Sequence, residues 1–295
     1  MMINLLLSLV LISQIFTPSL PADQAGEVLG AQTNASGEVV APVRITNQIL
    51  DLNLTAGSAL AIDGVSGKIL YEKNKDLVRP IASISKLMSA LVFLDQQPHW
   101  QNKIHLDYFQ DSNGQEFKFT AVENLTAEQI FNIALAGSIN QAVNLFPRLS
   151  GLDKNYFLSA MNQKAAELGL AKTYFADLTG LSAKNVSTAA EVALLLQKAL
   201  AQEKIYQALH LPIYEFQTEL QTYRIKNTNE LLTNKSFQVL AGKTGSTDEA
   251  GFCLVTLGEI RGRKIITVVL GAESEANRFQ DTKALYWWAE TNFNF

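Results

Sequence analysis

Residues 239–243, 251–257 and 264–270 read as a run of strands, and the turns between them, such as E-I-R-G-R-K, are too short for a crossover. The strands must therefore pair antiparallel. A second strand signal lies toward the other end of the chain, where A-G-S-A-L-A-I-D-G-V-S-G-K-I-L-Y-E predicts a hairpin turning at 63–67. This hairpin can join the same sheet. Between the two strand regions, apolar residues recur at spacings of three and four over 83–95, 126–136, 139–149 and 153–168, which predicts four helices. A further helix over 188–202 starts at Thr188 with Glu191 three residues on, a capping-box pattern, and 275–292 predicts a closing helix. No internal repeat and no second break in composition divides the chain. The expectation is one α/β unit, an antiparallel sheet flanked by helices with a helical lobe beside it.

Composition removes several function classes. The chain has 295 residues, 47% hydrophobic and 18% charged, which suits a packed globular protein. A net charge of -4 and the lack of any lysine or arginine block argue against a nucleic-acid partner. The single Cys253 cannot form an internal disulfide, and G-F-C-L-V-T-L reads as the interior of a buried strand. His99, His105 and His210 are scattered without metal-ligand spacing, so neither a metal nor a cofactor is implied.

The first residues carry a separate signal. Residues 3–16 are almost continuously apolar and lead into T-P-S-L-P-A, a run shorter than the roughly 20 residues that a spanning helix needs. Residues 1–22 are read as a secretory signal or an N-terminal anchor, with small residues at Ala22 and Ala31 for cleavage. No lysine or arginine precedes the run, and no cysteine near the junction offers a lipid attachment point. Residues 23–48, which include G-A-Q-T-N-A-S-G-E, are read as a linker by which an uncleaved N-terminal segment would tether the chain to the membrane, and 49–295 as the working domain.

Three fragments carry chemistry. In I-A-S-I-S-K-L-M-S-A, Ser83 and Lys86 stand three residues apart at the start of an apolar helix. A serine hydroxyl is a poor nucleophile until a neighbouring base takes its proton, and a lysine can do so when burial or nearby positive charge eases its deprotonation. The free N–H groups at the helix start can stabilise the resulting oxyanion. In L-A-G-S-I-N-Q-A, Ser138 and Asn140 lie between two helical stretches, and V-L-A-G-K-T-G-S-T-D-E-A-G-F puts Lys243, Thr244 and Gly245 on a strand that turns back at 248–251. Each fragment also has a plain structural reading: helix capping for Ser83, Ser138 and Asn140, and an edge-strand charge for Lys243.

Together and in this order, Ser83-x-x-Lys86, Ser138-x-Asn140 and Lys243-Thr244-Gly245 resemble the three motifs of the penicillin-recognising serine enzymes. The stretches M-N-Q-K-A-A-E-L-G-L, L-T-G-L-S, S-T-A-A-E-V-A and N-T-N-E-L-L extend the resemblance to the D-alanyl-D-alanine carboxypeptidase family of low-molecular-mass penicillin-binding proteins, from about Gly57 to the end. That resemblance implies a β-lactamase/transpeptidase-like fold. It also implies that Ser83 is acylated, that Lys86 is its base and that Ser138 relays a proton to the leaving amine. Asn140 would bond the substrate backbone, Lys243 and Thr244 would meet its terminal carboxylate, and Gly245 would let the strand approach closely. The N–H groups of Ser83 and Ser246 would form the oxyanion hole.

The implied activity is an exported D-Ala-D-Ala carboxypeptidase that trims peptidoglycan stem peptides in the bacterial cell envelope, with β-lactam antibiotics as covalent inhibitors. The alternatives are a DD-endopeptidase on cross-linked peptides, a class A-like β-lactamase, and a cell-wall binding module without turnover. Ile139 and Gln141 depart from the glycine and aspartate common in the family, and no C-terminal β-rich domain is expected beyond the catalytic one. Class A β-lactamases place a deacylating glutamate in a loop after the second motif, but residues 169–187 here contain no glutamate. Asp177, in F-A-D-L-T-G, reads as a turn residue bonding its own backbone.

Overall fold

A computed structural model describes residues 40–45, 52–106, 123–235 and 237–295. The signal or anchor expected over 1–22 lies outside the described residues.

The hairpin forms as read: β1 (Ser58–Asp63) turns into β2 (Ile69–Lys73). After a 3-10 turn at Ala82–Ser85 come α1 (Lys86–Asp95), α2 (Ala127–Ala136), α3 (Asn140–Asn144), α4 (Lys154–Glu167), α5 (Ala189–Leu200) and α6 (Glu203–His210). The chain then runs through β3 (Gln238–Thr247), β4 (Gly251–Ile260) and β5 (Arg263–Ala272), and closes with α7 (Glu275–Asn292). The sheet order is β3-β4-β5-β1-β2 and every pairing is antiparallel. Both ends of the chain thus build one sheet, with β3 at one edge.

Strand side chains alternate between faces, and here both faces are covered. On one side Leu60, Val255, Ile266 and Val268 join the core of the helical lobe; on the other Ala59, Leu254, Ile265 and Val269 pack with Leu285, Tyr286 and Ala289 of α7. Helix α1 runs through the lobe with Leu87, Met88, Ala90 and Phe93 all fully buried, and Phe93 stacks on Phe131 and Phe146. A helix apolar on every side is a core helix. Any polar group it carries must find its partners inside the protein.

Three local expectations change. The helix read over 139–149 breaks into α3 and a one-turn helix at Phe146–Leu149, because Pro147 has no N–H with which to continue the ladder. Thr188 caps α5 by accepting from Glu191 N–H at 3.1 Å, but the Glu191 carboxylate turns away to Lys172 N–H and the Thr173 hydroxyl. The reciprocal capping box forms instead at Thr126 and Gln129. Inside the stretch read as a tether, Val43–Arg44 pairs antiparallel with Phe293–Asn294, and Lys68 donates to the Pro42 carbonyl at 2.6 Å. The fold therefore takes in residues ahead of 49. That pairing needs the far end of the chain, which local composition does not register.

Candidate active site

The 3-10 turn carries Ser83 and hands the chain to α1 at Lys86. Side chains three apart eclipse in a 3-10 turn, and Lys86 Nζ lies 2.6 Å from Ser83 Oγ. The ammonium is fully buried and also donates to Asn140 Oδ1 at 2.6 Å and to the Thr179 carbonyl at 2.8 Å. An amide oxygen can only accept, so these two contacts occupy two N–H groups. The remaining position on the nitrogen faces Ser83, where an ammonium donates and a free amine presents its lone pair to the hydroxyl proton. Both protonation states are satisfied, which suits a group that must pass a proton back and forth.

Opposite this pair stands a second one. Lys243 on β3 is buried at 1% exposure and donates to Ser138 Oγ at 2.7 Å. Burial, followed by the positive charges of Lys86 and Arg278, holds the Lys243 ammonium well below the usual lysine pKa. Ser138 occupies the short link between α2 and α3 with φ of 58°, a backbone position that L-residues seldom adopt. Ala82, just before Ser83, is likewise at φ 46°. Strained backbone at two adjoining points is characteristic of functional sites.

Ser83 and Ser138 open onto a cavity of about 700 Å³ whose wall includes Thr244, Gly245, Ser246 and Arg278. The structure thus brings the seven residues read from the three motifs, and Ser246 after them, to one place. Two of them act locally in ways the sequence did not suggest. Asn140 spends its carbonyl on Lys86, and neither Ser138 nor Asn140 caps a helix. Gly245 is required under the turn itself, because a Cβ there would lie 2.8 Å from the Ile81 carbonyl and 3.0 Å from Ser83 N. This places Ser83 N beside the β3 backbone that continues into Ser246.

Sequence reading missed three contributors. Thr228 bonds the Thr244 hydroxyl at 2.6 Å and so orients it; the N-T-N-E-L-L stretch was the available signal. Arg278, 4% exposed beneath the Phe252 and Phe279 rings, lines the cavity from α7 and had no local signal. The third is the 177–182 loop, which supplies the Thr179 carbonyl to Lys86.

Comparison with known proteins gives the family. The peptidase S11 family, D-alanyl-D-alanine carboxypeptidase, matches residues 44–274. The chain is similar to the D-alanyl-D-alanine endopeptidases of Pseudomonas aeruginosa, at 35% identity over 82% of this chain and 79% of that one, and of Escherichia coli, at 33% over 81% and 78%. Among solved structures it is similar to penicillin-binding protein D2 from Listeria monocytogenes in its cefotaxime-bound form, at 29% identity and a TM-score of 0.71, covering 82% of this chain and 99% of that one. The fold is that of the penicillin-binding proteins and DD-transpeptidases. The chain belongs to the D-alanyl-D-alanine carboxypeptidase family of serine peptidases.

Proposed function

We propose that this protein is a serine-type D-Ala-D-Ala carboxypeptidase of the bacterial cell envelope, acting on peptidoglycan stem peptides through an acyl-Ser83 intermediate. The observation that carries the reading is the 2.6 Å contact of the buried Lys86 amine with Ser83 Oγ at the edge of the cavity. As Ser83 Oγ attacks the carbonyl of the penultimate D-alanine, Lys86 takes its proton. The N–H groups of Ser83 and Ser246 stabilise the oxyanion. Ser138 then passes its proton to the departing D-alanine nitrogen, with Lys243 behind it to restore the hydroxyl. Water attacks the acyl carbon and gives its proton through Ser138 back to Lys243, while Lys86 returns its proton to Ser83 Oγ as the acyl bond breaks.

The substrate carboxylate is read by Lys243, Thr244 and Arg278. A carboxylate arriving beside Lys243 supplies the opposite charge that favours its ammonium form, so binding and protonation reinforce each other. Lys243→Ala is therefore expected to lower kcat/KM by about 100-fold on a peptide with a free terminal carboxylate, and much less on the same peptide amidated. Steady-state rates on the pair check this; a variant that still separates acid from amide as the wild type does assigns the charge reading elsewhere.

A DD-endopeptidase acting on cross-linked peptides is the second reading, favoured by the names of the two relatives at 35% and 33% identity. One experiment separates the two: incubation with a peptide ending in D-Ala-D-Ala and with a cross-linked muropeptide. Release of D-alanine supports the first reading, and cleavage of the cross-link alone supports the second. A β-lactamase reading is disfavoured because Asp177, the carboxylate of residues 169–187, is occupied within its own loop and not free to activate water. Penicillin is expected to leave an adduct on Ser83 that survives manual mixing and intact-protein mass spectrometry, with negligible steady-state hydrolysis. Sustained penicillin turnover without a detectable adduct would reverse this assignment.

A further inference from the structure

Asp177 takes part in none of the steps above, yet its carboxylate is the hub of the loop that touches Lys86. Oδ1 accepts from the backbone N–H groups of Thr179 at 2.6 Å and Gly180 at 2.7 Å and from the Thr179 hydroxyl at 2.9 Å, while Oδ2 accepts from Ser182 N–H at 2.6 Å. The amides of the loop are thus turned inward. In a trans peptide the C=O points opposite to the N–H, so the carbonyls of the same peptide groups are turned outward.

Both outward carbonyls meet α1. Leu178 C=O, which shares its peptide group with Thr179 N–H, accepts from the Ser89 hydroxyl at 2.5 Å. Thr179 C=O, which shares its group with Gly180 N–H, accepts from Lys86 Nζ at 2.8 Å. Asn185 braces the arrangement from outside: its Oδ1 accepts from Ala176 and Asp177 N–H, and its Nδ2 donates to the Asp177 carbonyl and the Ser85 hydroxyl. A single rigid peptide group, Thr179–Gly180, therefore stands between a carboxylate and the lysine amine. An N–H bonded to a negative charge polarises its peptide group and makes the attached carbonyl a stronger acceptor.

We propose that Asp177 is a positioning residue for the acylation of Ser83, its carboxylate acting through the Thr179–Gly180 peptide group to hold Lys86 Nζ against Ser83 Oγ. The proposal rests on the reading of Ser83 as nucleophile and Lys86 as base. Burial alone would raise the Asp177 pKa, but the N–H groups of Ser182, Thr179 and Gly180 more than offset it and hold the carboxyl below its usual value. The group is charged at neutral pH. A side chain with the same shape and no charge keeps the Oδ1 contacts, loses the Ser182 bond and weakens the polarisation of the bridge.

The test measures penicillin acylation of the full protein as a function of penicillin concentration, which separates the dissociation constant of the initial complex from the acylation rate constant. Mass spectrometry locates the adduct. Asp177→Asn is expected to acylate about tenfold more slowly, and Asp177→Ala about 100-fold more slowly, with the dissociation constant of Asp177→Asn within about threefold of wild type. A purely structural role would move binding and acylation together. The proposal is overturned if Asp177→Asn acylates at the wild-type rate, if its binding weakens as much as its acylation, or if it does not fold. An adduct on wild type at a residue other than Ser83 refutes the parent reading, and this proposal with it.

Discussion

Ser83→Ala is expected to abolish both peptide cleavage and covalent labelling by penicillin, a loss on the order of a million-fold in turnover, as for removal of the nucleophile in other serine hydrolases. In sequence, no other serine has a lysine three residues later. In space there is a second serine–lysine pair, Ser138 and Lys243, so the variant is a discriminating one. Ser83 is favoured because it sits on the turn at the start of α1, where backbone N–H groups and the helix dipole stabilise a developing oxyanion. In the proposed reaction Ser138 is backed by a lysine that also serves the substrate carboxylate. Ser83 is only half-buried, so the variant should fold. Intact-protein mass spectrometry of the alanine variant after penicillin exposure decides the matter, and an adduct that persists, on Ser138 or elsewhere, defeats the assignment.

Gly180→Ala is expected to slow acylation by about 100-fold or more, because displacing catalytic groups by even about 1 Å can cost that much. Gly180 has φ of 90°, a region that L side chains rarely adopt. An added Cβ would overlap the Ala82 carbonyl and lie 2.8 Å from Ser83 N. Those neighbours are backbone and cannot rotate aside. Either the loop retreats and withdraws the Thr179 carbonyl from Lys86, or the 3-10 turn shifts and carries Ser83 with it. Gly67→Ala is the matching control: its φ is 71°, yet nothing lies within 4 Å of the added Cβ. The control should lose a little stability and no activity. Acylation rates and melting temperatures of the two variants provide the comparison, and a Gly180→Ala enzyme acylating at the rate of the Gly67→Ala control would show that this close packing is dispensable.

Where function follows from neighbours in the chain, the sequence sufficed. The Ser83–Lys86 contact is a property of one helical turn, the β1–β2 hairpin of one short loop, and the antiparallel order of β3, β4 and β5 of connections too short for any other pairing. Asp177 was legible as a turn residue for the same reason: the partners of its carboxylate lie within five positions. The three motifs were legible as a set only through resemblance, since nothing local ties Ser138 to a lysine 105 positions away.

Tertiary structure decided what burial and long-range contact impose. It placed Lys86 in a core helix, so that an amine with a free choice of water in an isolated helix has Ser83, Asn140 and Thr179 as partners. It turned the Asn140 carbonyl toward that amine and made Gly245 a clearance for the Ser83 turn. Arg278 reads in sequence as one more charged position of α7, and only the packing of α7 behind the sheet buries it under Phe252 and brings it to the cavity wall. Local propensity and periodicity report the energies of neighbouring residues, whereas the desolvation of a charge and the partners left to it are set by which distant segments exclude the water.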